Sequence, residues 1–582
     1  MRIAPPFVAL ALISASLPAQ DYYVVTIGGA PVGWMRETRI ATGAEIRSES
    51  FMSIKLNRLG SAVVMETSQS FTETAGGAMR ALDVGMKMSQ QEVTTSVVID
   101  GRRAKVTATV GGRPFARELP LTDSILGPDA IRRLTLTLDR GGDSVRFTSW
   151  DGQTNAPATI TRTLVARDSL RRILERSSAT PMTTLAWLDD AGRTVRLQFE
   201  LPFGRTEVIL ADSVRAMLAA AGGELPAESY GRTIARTNIR LPRAREIDYL
   251  KLRLSLADSS VAIPDLSGPG QHVLDRRGPL AVVEIRRQQP RTRAMIPVEP
   301  TEAIREYLEP NAYIQSDDPR LMTVAREIAG SERDLMKAAL ALRRWTAEQL
   351  TFDLGIAFAP SVEVFDRRRG TCVAYATLLA TLTRAVGIPS RIAMGYVYVN
   401  GMFGGHAWTE VLVGTDWIPI DAALVSDGPS DAARFAFAWS SLRDGPGSLI
   451  AGGGTQLYGR LKVDVEAFRV AGQRRRNVSP GATPWTISGN RYQNTWLGIQ
   501  VTKPAGFEFT RLDEVWPSAT VVAFERGDER VTVSLRSRKP WARSNVATNE
   551  VPRGMDSFII EAESNRKDAL ISETRRRIRT ID

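Results

Sequence analysis

The stretch Arg368 to Arg391, RRGTCVAYATLLATLTRAVGIPSR, decides the fold of the region around it. Tyr375, Leu378, Leu379, Leu382 and Val386 recur at three- and four-residue spacing, which predicts a helix over about 372–386 with one continuous apolar stripe. Gly387 and Pro389 supply its stop. Gly370 permits the tight turn before it, and Thr371 stands where a capping hydroxyl belongs. Cys372, the single cysteine of the chain, therefore falls in the first turn, where free N–H groups and the positive end of the helix dipole favour thiolate over thiol. The same N–H groups can receive the oxyanion of an acyl intermediate. A cysteine kept for packing belongs in the middle of such a stripe, and one at its start reads as a nucleophile.

Downstream, Gly405 to Val413 alternates, so that His406, Trp408, Glu410 and Leu412 share one face of a strand. Gly414-Thr415 makes a two-residue turn into Asp416 to Asp421, which sets Val413 opposite Asp416, Leu412 opposite Trp417 and Trp408 opposite Asp421. In that register His406 and Asp421 are diagonal neighbours on one face, about 7–8 Å apart at the backbone and close enough for their side chains to meet. A three-residue loop would put them on opposite faces. Asp421 would fix the tautomer of His406, leaving the other ring nitrogen to take the proton of Cys372.

Arg-Gly-Thr-Cys at 369–372, Arg-Ala-Val-Gly-Ile-Pro-Ser-Arg at 384–391, Met-Gly-Tyr-Val at 394–397, His-Ala-Trp-Thr-Glu-Val at 406–411 and Trp-Ile-Pro-Ile-Asp at 417–421 resemble, in order and spacing, the bacterial transglutaminase-like superfamily. The resemblance covers about residues 315–425. It implies a papain-like α+β core, a nucleophilic cysteine at the start of a central helix packed on an antiparallel sheet that carries His and Asp. It makes Cys372 the nucleophile, His406 the general base and later acid, and Asp421 the orienting residue. Trp408 and Glu410 match the motif, and with Thr371 they are expected to pack beside the site or contact substrate rather than react. The residues after Cys372, Val373-Ala374-Tyr375, depart from the acidic or polar choice of many relatives. The resemblance implies attack on a peptide, protein, Gln-type or peptidoglycan-type amide through a thioester, with no metal and no cofactor. Hydrolysis, as by a cysteine peptidase or amidase, is the expected outcome. The alternatives are an acyltransferase that hands the acyl group to an amine, and a non-catalytic envelope binding or scaffold protein.

The rest of the chain reads as α+β and multidomain. Met1-Arg2, the apolar Phe7 to Ile13 and the small-residue exit Ser14 to Ala19 form the pattern of a signal peptide over 1–19, so a periplasmic or secreted location is expected. No later segment is long and apolar enough to cross a bilayer as a helix. From 20 to 225 the chain is rich in strands: Val24 to Ile27, Thr94 to Ile99, Lys105 to Val110, Val145 to Ser149 and Thr194 to Phe199 are bounded by Gly28-Gly29, Asp100-Gly101, Gly111-Gly112 and Gly141-Gly142. A short helix is expected over 211–221. Residues 226–300 form a second β subdomain with Leu250 to Leu256, and His272 is a surface loop residue. Residues 301–470 form the catalytic domain, with further helices over 301–309, 319–329 and 332–350, an irregular approach over 352–369, and a strand near 461–465. In the last helix, Leu335, Ala339, Leu342 and Trp345 share a face. A linker over 471–485 precedes a small β-containing C-terminal domain, 486–582, closed by a helix over 555–579.

The formal charge of +11 suggests contact with anionic envelope surfaces. The basic residues are dispersed, however, and only nine of the 75 are Lys, so the charge does not point to nucleic acid.

Overall fold

The computed structural model describes residues 20–581 apart from 59–60, 89–90, 111, 153, 181, 202–203, 220–222, 225–233, 260, 354–358, 444, 446–448, 450–453, 511–519, 538–547 and 554–555. The signal peptide expected over 1–19 lies outside the described residues. No helix among the described residues is long and apolar enough to cross a membrane.

Alternating sequence builds the N-terminal part. Eight strands, from Gln20–Ile27 to Arg113–Pro120, lie side by side in chain order. Six more, Ser144–Asp151 to Gly204–Ala211, follow and return to the free edge of Gln20–Ile27, giving a long antiparallel meander. Tyr23, Val25 and Ile27 are fully buried, Val24 between them is barely so, and Tyr22 and Thr26 are half-buried. The expected helix is shorter, Ser213–Ala219. The meander docks on the next unit through Val110, Val93 and Phe115, which join its core, and through an Arg113–Asp317 ion pair at 2.6 Å.

The stretch expected as a separate subdomain at 226–300 shares its sheet with the catalytic region. Ile247–Leu256 pairs with Leu280–Arg286 on one edge and with Leu461–Val470 on the other. Their inward residues Leu250, Leu252, Leu254, Val463 and Val465 belong to the core that also holds Ala376 and Ala380 of the central helix. Local composition marks a change of segment at 300, but chain return from 461 to 470 closes the sheet across it. His272 is exposed as expected, although it sits on the strand Gln271–Arg277 rather than in a loop.

Helices at Pro319–Ala329, Leu335–Gln349 and Cys372–Ala385 match the apolar spacing, the first two capped by Asp318 and Asp334. The expected helix over 301–309 is only a 3₁₀ turn, Arg305–Tyr307, because Pro300 and Pro310 bracket too short a segment. Residues Ser361–Arg367, within the stretch read as irregular, form a helix. Its Phe365 stacks on Trp345, with Arg368 against both rings. The described residues between 485 and 580 form two small sheets and a helix around Tyr492, Phe507, Phe524 and Phe558. The helix expected over 555–579 is confined to Lys567–Arg577, and Asp556–Glu563 is a strand. Phe558, Ile560 and Ala562 are buried on alternate positions, a period of two that overrides helix propensity.

Candidate active site

The central helix Cys372–Ala385 is buried at every position from Val373 to Arg384. The predicted stripe of Tyr375, Leu378, Leu379 and Leu382 faces the helical core, and Ala376 and Ala380 face the sheet core. Two alanines a turn apart let the helix approach the sheet closely, and Thr409 Oγ1 donates to Ala376 O at 2.9 Å. At the far end Gly387, in the left-handed region at φ 77°, and Ile388 return N–H groups to the last turn. Arg384 is buried and donates to the carbonyls of Ser390, Ser441 and Glu309, tying the helix end to the next strand. Thr371 occupies the N-cap position with extended backbone but makes no capping hydrogen bond through its side chain, contrary to expectation.

The strand Met402–Val413 carries the histidine. Val413 pairs with Asp416 and Leu412 with Trp417, so the two-residue turn and its register are as read from the sequence. Along that same edge Ile234–Arg236 pairs with 402–404 and Asp416–Ile420 pairs with 409–413. Residues 405–408 lie between these two partners and, among the described residues, have no strand on that edge, while Ser390–Val399 pairs with them on the other. The thiol occupies that opening. Its sulfur accepts from the Ala407 N–H and is hydrogen-bonded to the His406 ring.

His406 Nε2 and Asp421 Oδ2 are 2.8 Å apart, both side chains buried. Asp421 Oδ1 accepts the N–H groups of Ala423 and Leu424 at 2.9 and 3.0 Å, which fixes the carboxylate plane. Trp408 lies with its ring 6.2 Å from that of His406, nearly parallel. Glu410 points away from the thiol: its Oε2 accepts both Nε and Nη2 of Arg391 at 2.9 and 2.7 Å, and Oε1 accepts from Trp439. The structure thus brings Cys372, His406, Asp421 and Trp408 together and assigns Glu410 to holding strands.

Burial pushes the Cys372 thiol up, but the His406 charge, the hydrogen bond to its ring and the Ala407 N–H outweigh it, and the thiol falls below its ordinary value. Burial pushes His406 down, yet Asp421 and the Cys372 sulfur raise it to about 9. Burial opposes the charge of Asp421, while His406 and Arg434 hold its carboxyl well below the usual carboxylate range. These shifts favour a thiolate–imidazolium pair, a nucleophile that needs no separate deprotonation.

Three groups at the site had no signal in the sequence. Arg434 Nη1 donates to Asp421 Oδ2 at 2.7 Å, and Asp431 in turn receives Arg434 Nη2 at 3.0 Å. Tyr458 lies beside the thiol, its phenol pushed up to about 12 by burial and then by the Cys372 charge. Arg434, Asp431 and Tyr458 follow the last motif by 10 to 37 residues and belong to no periodic pattern that names a role.

Residues 322–422 match the transglutaminase-like superfamily, a stretch that contains Cys372, His406 and Asp421. Over 124 residues the chain is 29% identical to an uncharacterized protein of Mycobacterium leprae, an alignment that takes in 19% of this chain and 43% of that protein. The chain thus spans less than half the length of the curated relative it matches. Among solved structures it is similar to a candidate cysteine protease from Cytophaga hutchinsonii, at 17% identity over 40% of this chain and 91% of that one, with a TM-score of 0.28. It is also similar to a β-barrel-like protein from Brucella abortus, at 11% identity over 34% of this chain and 96% of that one, TM-score 0.28. Likenesses at those scores carry no argument. The sequence match is what marks residues 322–422 as a transglutaminase-like domain.

Proposed function

We propose that this chain, with its transglutaminase-like domain at 322–422, is an exported thiol enzyme that hydrolyses amide bonds of peptide, protein or peptidoglycan-type substrates. The observation that carries the reading is the hydrogen-bonded order Cys372, His406, Asp421 at a helix start, with the thiol lowered and the imidazole raised. The Cys372 thiolate attacks the amide carbonyl and forms a C–S bond. The imidazolium of His406 gives its proton to the amide nitrogen, the C–N bond breaks and the amine leaves. Neutral His406 then takes a proton from water, whose oxygen attacks the thioester, releasing the carboxylic acid and restoring the pair. N–H groups of the first helical turn face the developing oxyanion. Export rests on the leader pattern of residues 1–19.

Wild type and Cys372→Ala are incubated with envelope peptides, peptidoglycan fragments and a labelled amine, and the products are read by mass spectrometry. Hydrolysis products that disappear in Cys372→Ala support the reading. Products carrying the labelled amine instead make the protein an acyltransferase, and identical profiles for the two proteins remove catalysis and leave a binding role.

A further inference from the structure

Asp421 creates a difficulty as well as an advantage for a thiolate. Its charge raises His406, but the same charge acts on Cys372 and pushes the thiol up. An isolated buried carboxylate would therefore oppose the ionisation that the imidazole promotes. Arg434 sits where it relieves this. Asp421 Oδ2 is shared between His406 Nε2 at 2.8 Å and Arg434 Nη1 at 2.7 Å. Arg434 is itself held from behind: Nη2 donates to Asp431 Oδ2 at 3.0 Å, and Arg245 Nη1 lies 3.1 Å from that same oxygen. Ser426 Oγ and the Ala433 N–H complete the Asp431 shell at 2.7 and 2.9 Å. The guanidinium also lies 5.3 Å over the Trp408 ring, which stacks beside His406.

The row Cys372, His406, Asp421, Arg434, Asp431, Arg245 alternates in sign, and from His406 onward the side chains are at most 7% exposed. Four buried charges beyond the histidine are a poor way to gain stability, because desolvation consumes most of the Coulomb attraction. A row that ends on the oxygen holding the histidine can instead orient that oxygen and offset its charge. The other charged or titratable groups near the row are Arg343 from the helix Leu335–Gln349, Arg287, Asp556 from the C-terminal sheet, and Tyr458 beside the thiol.

We propose that Arg434 is a positioning residue of the thiol site: braced by Asp431 and Arg245, it aims Asp421 Oδ2 at His406 and offsets the carboxylate charge that would otherwise oppose the Cys372 thiolate. The proposal rests on the reading of Cys372 as nucleophile. Because Cys372 is the single cysteine, iodoacetamide uptake by the full chain reports that thiol alone. The rate is measured from pH 4 to 10 for wild type, Arg434→Met, Arg434→Lys and Asp431→Asn, with folding followed by circular dichroism. In Arg434→Met the acid limb moves to higher pH, and labelling at pH 6 is about tenfold slower. Arg434→Lys, which keeps the charge, stays within about threefold of wild type. Asp431→Asn weakens the brace behind Arg434, so its acid limb moves the same way as in Arg434→Met, to higher pH, but by less.

A folded Arg434→Met with the wild-type profile, or a Lys variant shifted as far as Met, overturns the proposal. Where Arg434→Met does not fold, Asp431→Asn decides: labelling slowed equally at every pH with the acid limb unmoved, or a wild-type profile, overturns it, since a merely structural role moves no limb. A wild-type thiol that reacts only above about pH 8 removes the nucleophile reading and this proposal with it, a failure seen in wild type alone.

Discussion

His406 Nε2 lies 2.8 Å from Asp421 Oδ2, and because an ionised carboxylate only accepts, that nitrogen carries the hydrogen and Nδ1 is left for Cys372. The pH dependence of catalysis follows from this pairing. The productive form is thiolate with imidazolium. It is lost on the acid side as the thiol, lowered from its ordinary value, takes up a proton, and on the alkaline side as His406 loses its proton near pH 9. kcat/KM is therefore expected to be bell-shaped with its alkaline limb near 9. Asp421→Asn removes the charge that raises His406, so that limb moves down by more than about one unit, and kcat falls by about 10²–10⁴ as the tautomer is lost. An alkaline limb unmoved by Asp421→Asn would assign it to another group.

Tyr458 packs beside the strand that carries His406, near Cys372. Its hydroxyl is 3.0 Å from where a Cβ on Gly405 would stand, one residue before His406, and its ring packs on Tyr396 and Phe437. A phenol held there can donate to the oxyanion formed on attack by Cys372. Tyr458→Phe is expected to lower kcat by about 10–100-fold while leaving iodoacetamide labelling at neutral pH unchanged, since labelling forms no oxyanion. Equal losses in turnover and labelling would make the hydroxyl a support of the thiol instead.

Glu410 belongs to the motif that surrounds His406, but its carboxylate is spent on Arg391 and Trp439. Arg391 in turn lies 4.1 Å over Trp417 and 5.5 Å over Trp439, so the pair joins four strands. Glu410→Gln is expected to cost about 1.5–3 kcal/mol in urea unfolding, because a buried charged partner is left without its opposite. Labelling of the folded variant should match wild type. A folded variant with normal stability but altered labelling would return Glu410 to the site.

The legibility of this site in sequence divides by range. Cys372 at a helix start, and His406 beside Asp421, follow from local periods of 3.6 and 2 and from a two-residue turn, all decided within fifteen residues. Arg245 and Tyr458 reach the site over greater separations, and Arg434 and Asp431, though as near in sequence to Asp421 as His406 is, belong to no period or turn that sets them beside it; all four resemble any other charged or aromatic residues in an Arg-rich chain. The same limit explains the subdomain boundary. Pairing of Ile247–Leu256 with Leu461–Val470 spans some two hundred residues, and nothing in either strand names its partner. At Asp556–Glu563 the alternating burial has a stronger claim than helix-forming composition, and the segment is a strand.

Gly395 is the residue on which the histidine strand rests. It pairs with His406 on one side, and on the other the register with Arg434–Ser440 shifts between Met394 and Gly395, bringing the Phe435 carbonyl inward. A Cβ on Gly395 would stand 1.9 Å from that oxygen and 2.7 Å from Ala436 Cα, both backbone atoms that cannot rotate away. The two strands must separate to admit even a methyl group, and the displacement is applied to the neighbour of His406 and to the strand that carries Arg434. Gly395→Ala is expected to destabilise by about 1–3 kcal/mol through overpacking, read as a lower urea midpoint with unchanged slope. In the fraction that remains folded, Cys372 labelling at pH 6 should slow as well, since about 1 Å of misplacement at a catalytic group costs as much as 10²-fold. A Gly395→Ala protein with the wild-type midpoint would mean that the two strands are not in the close contact described for them.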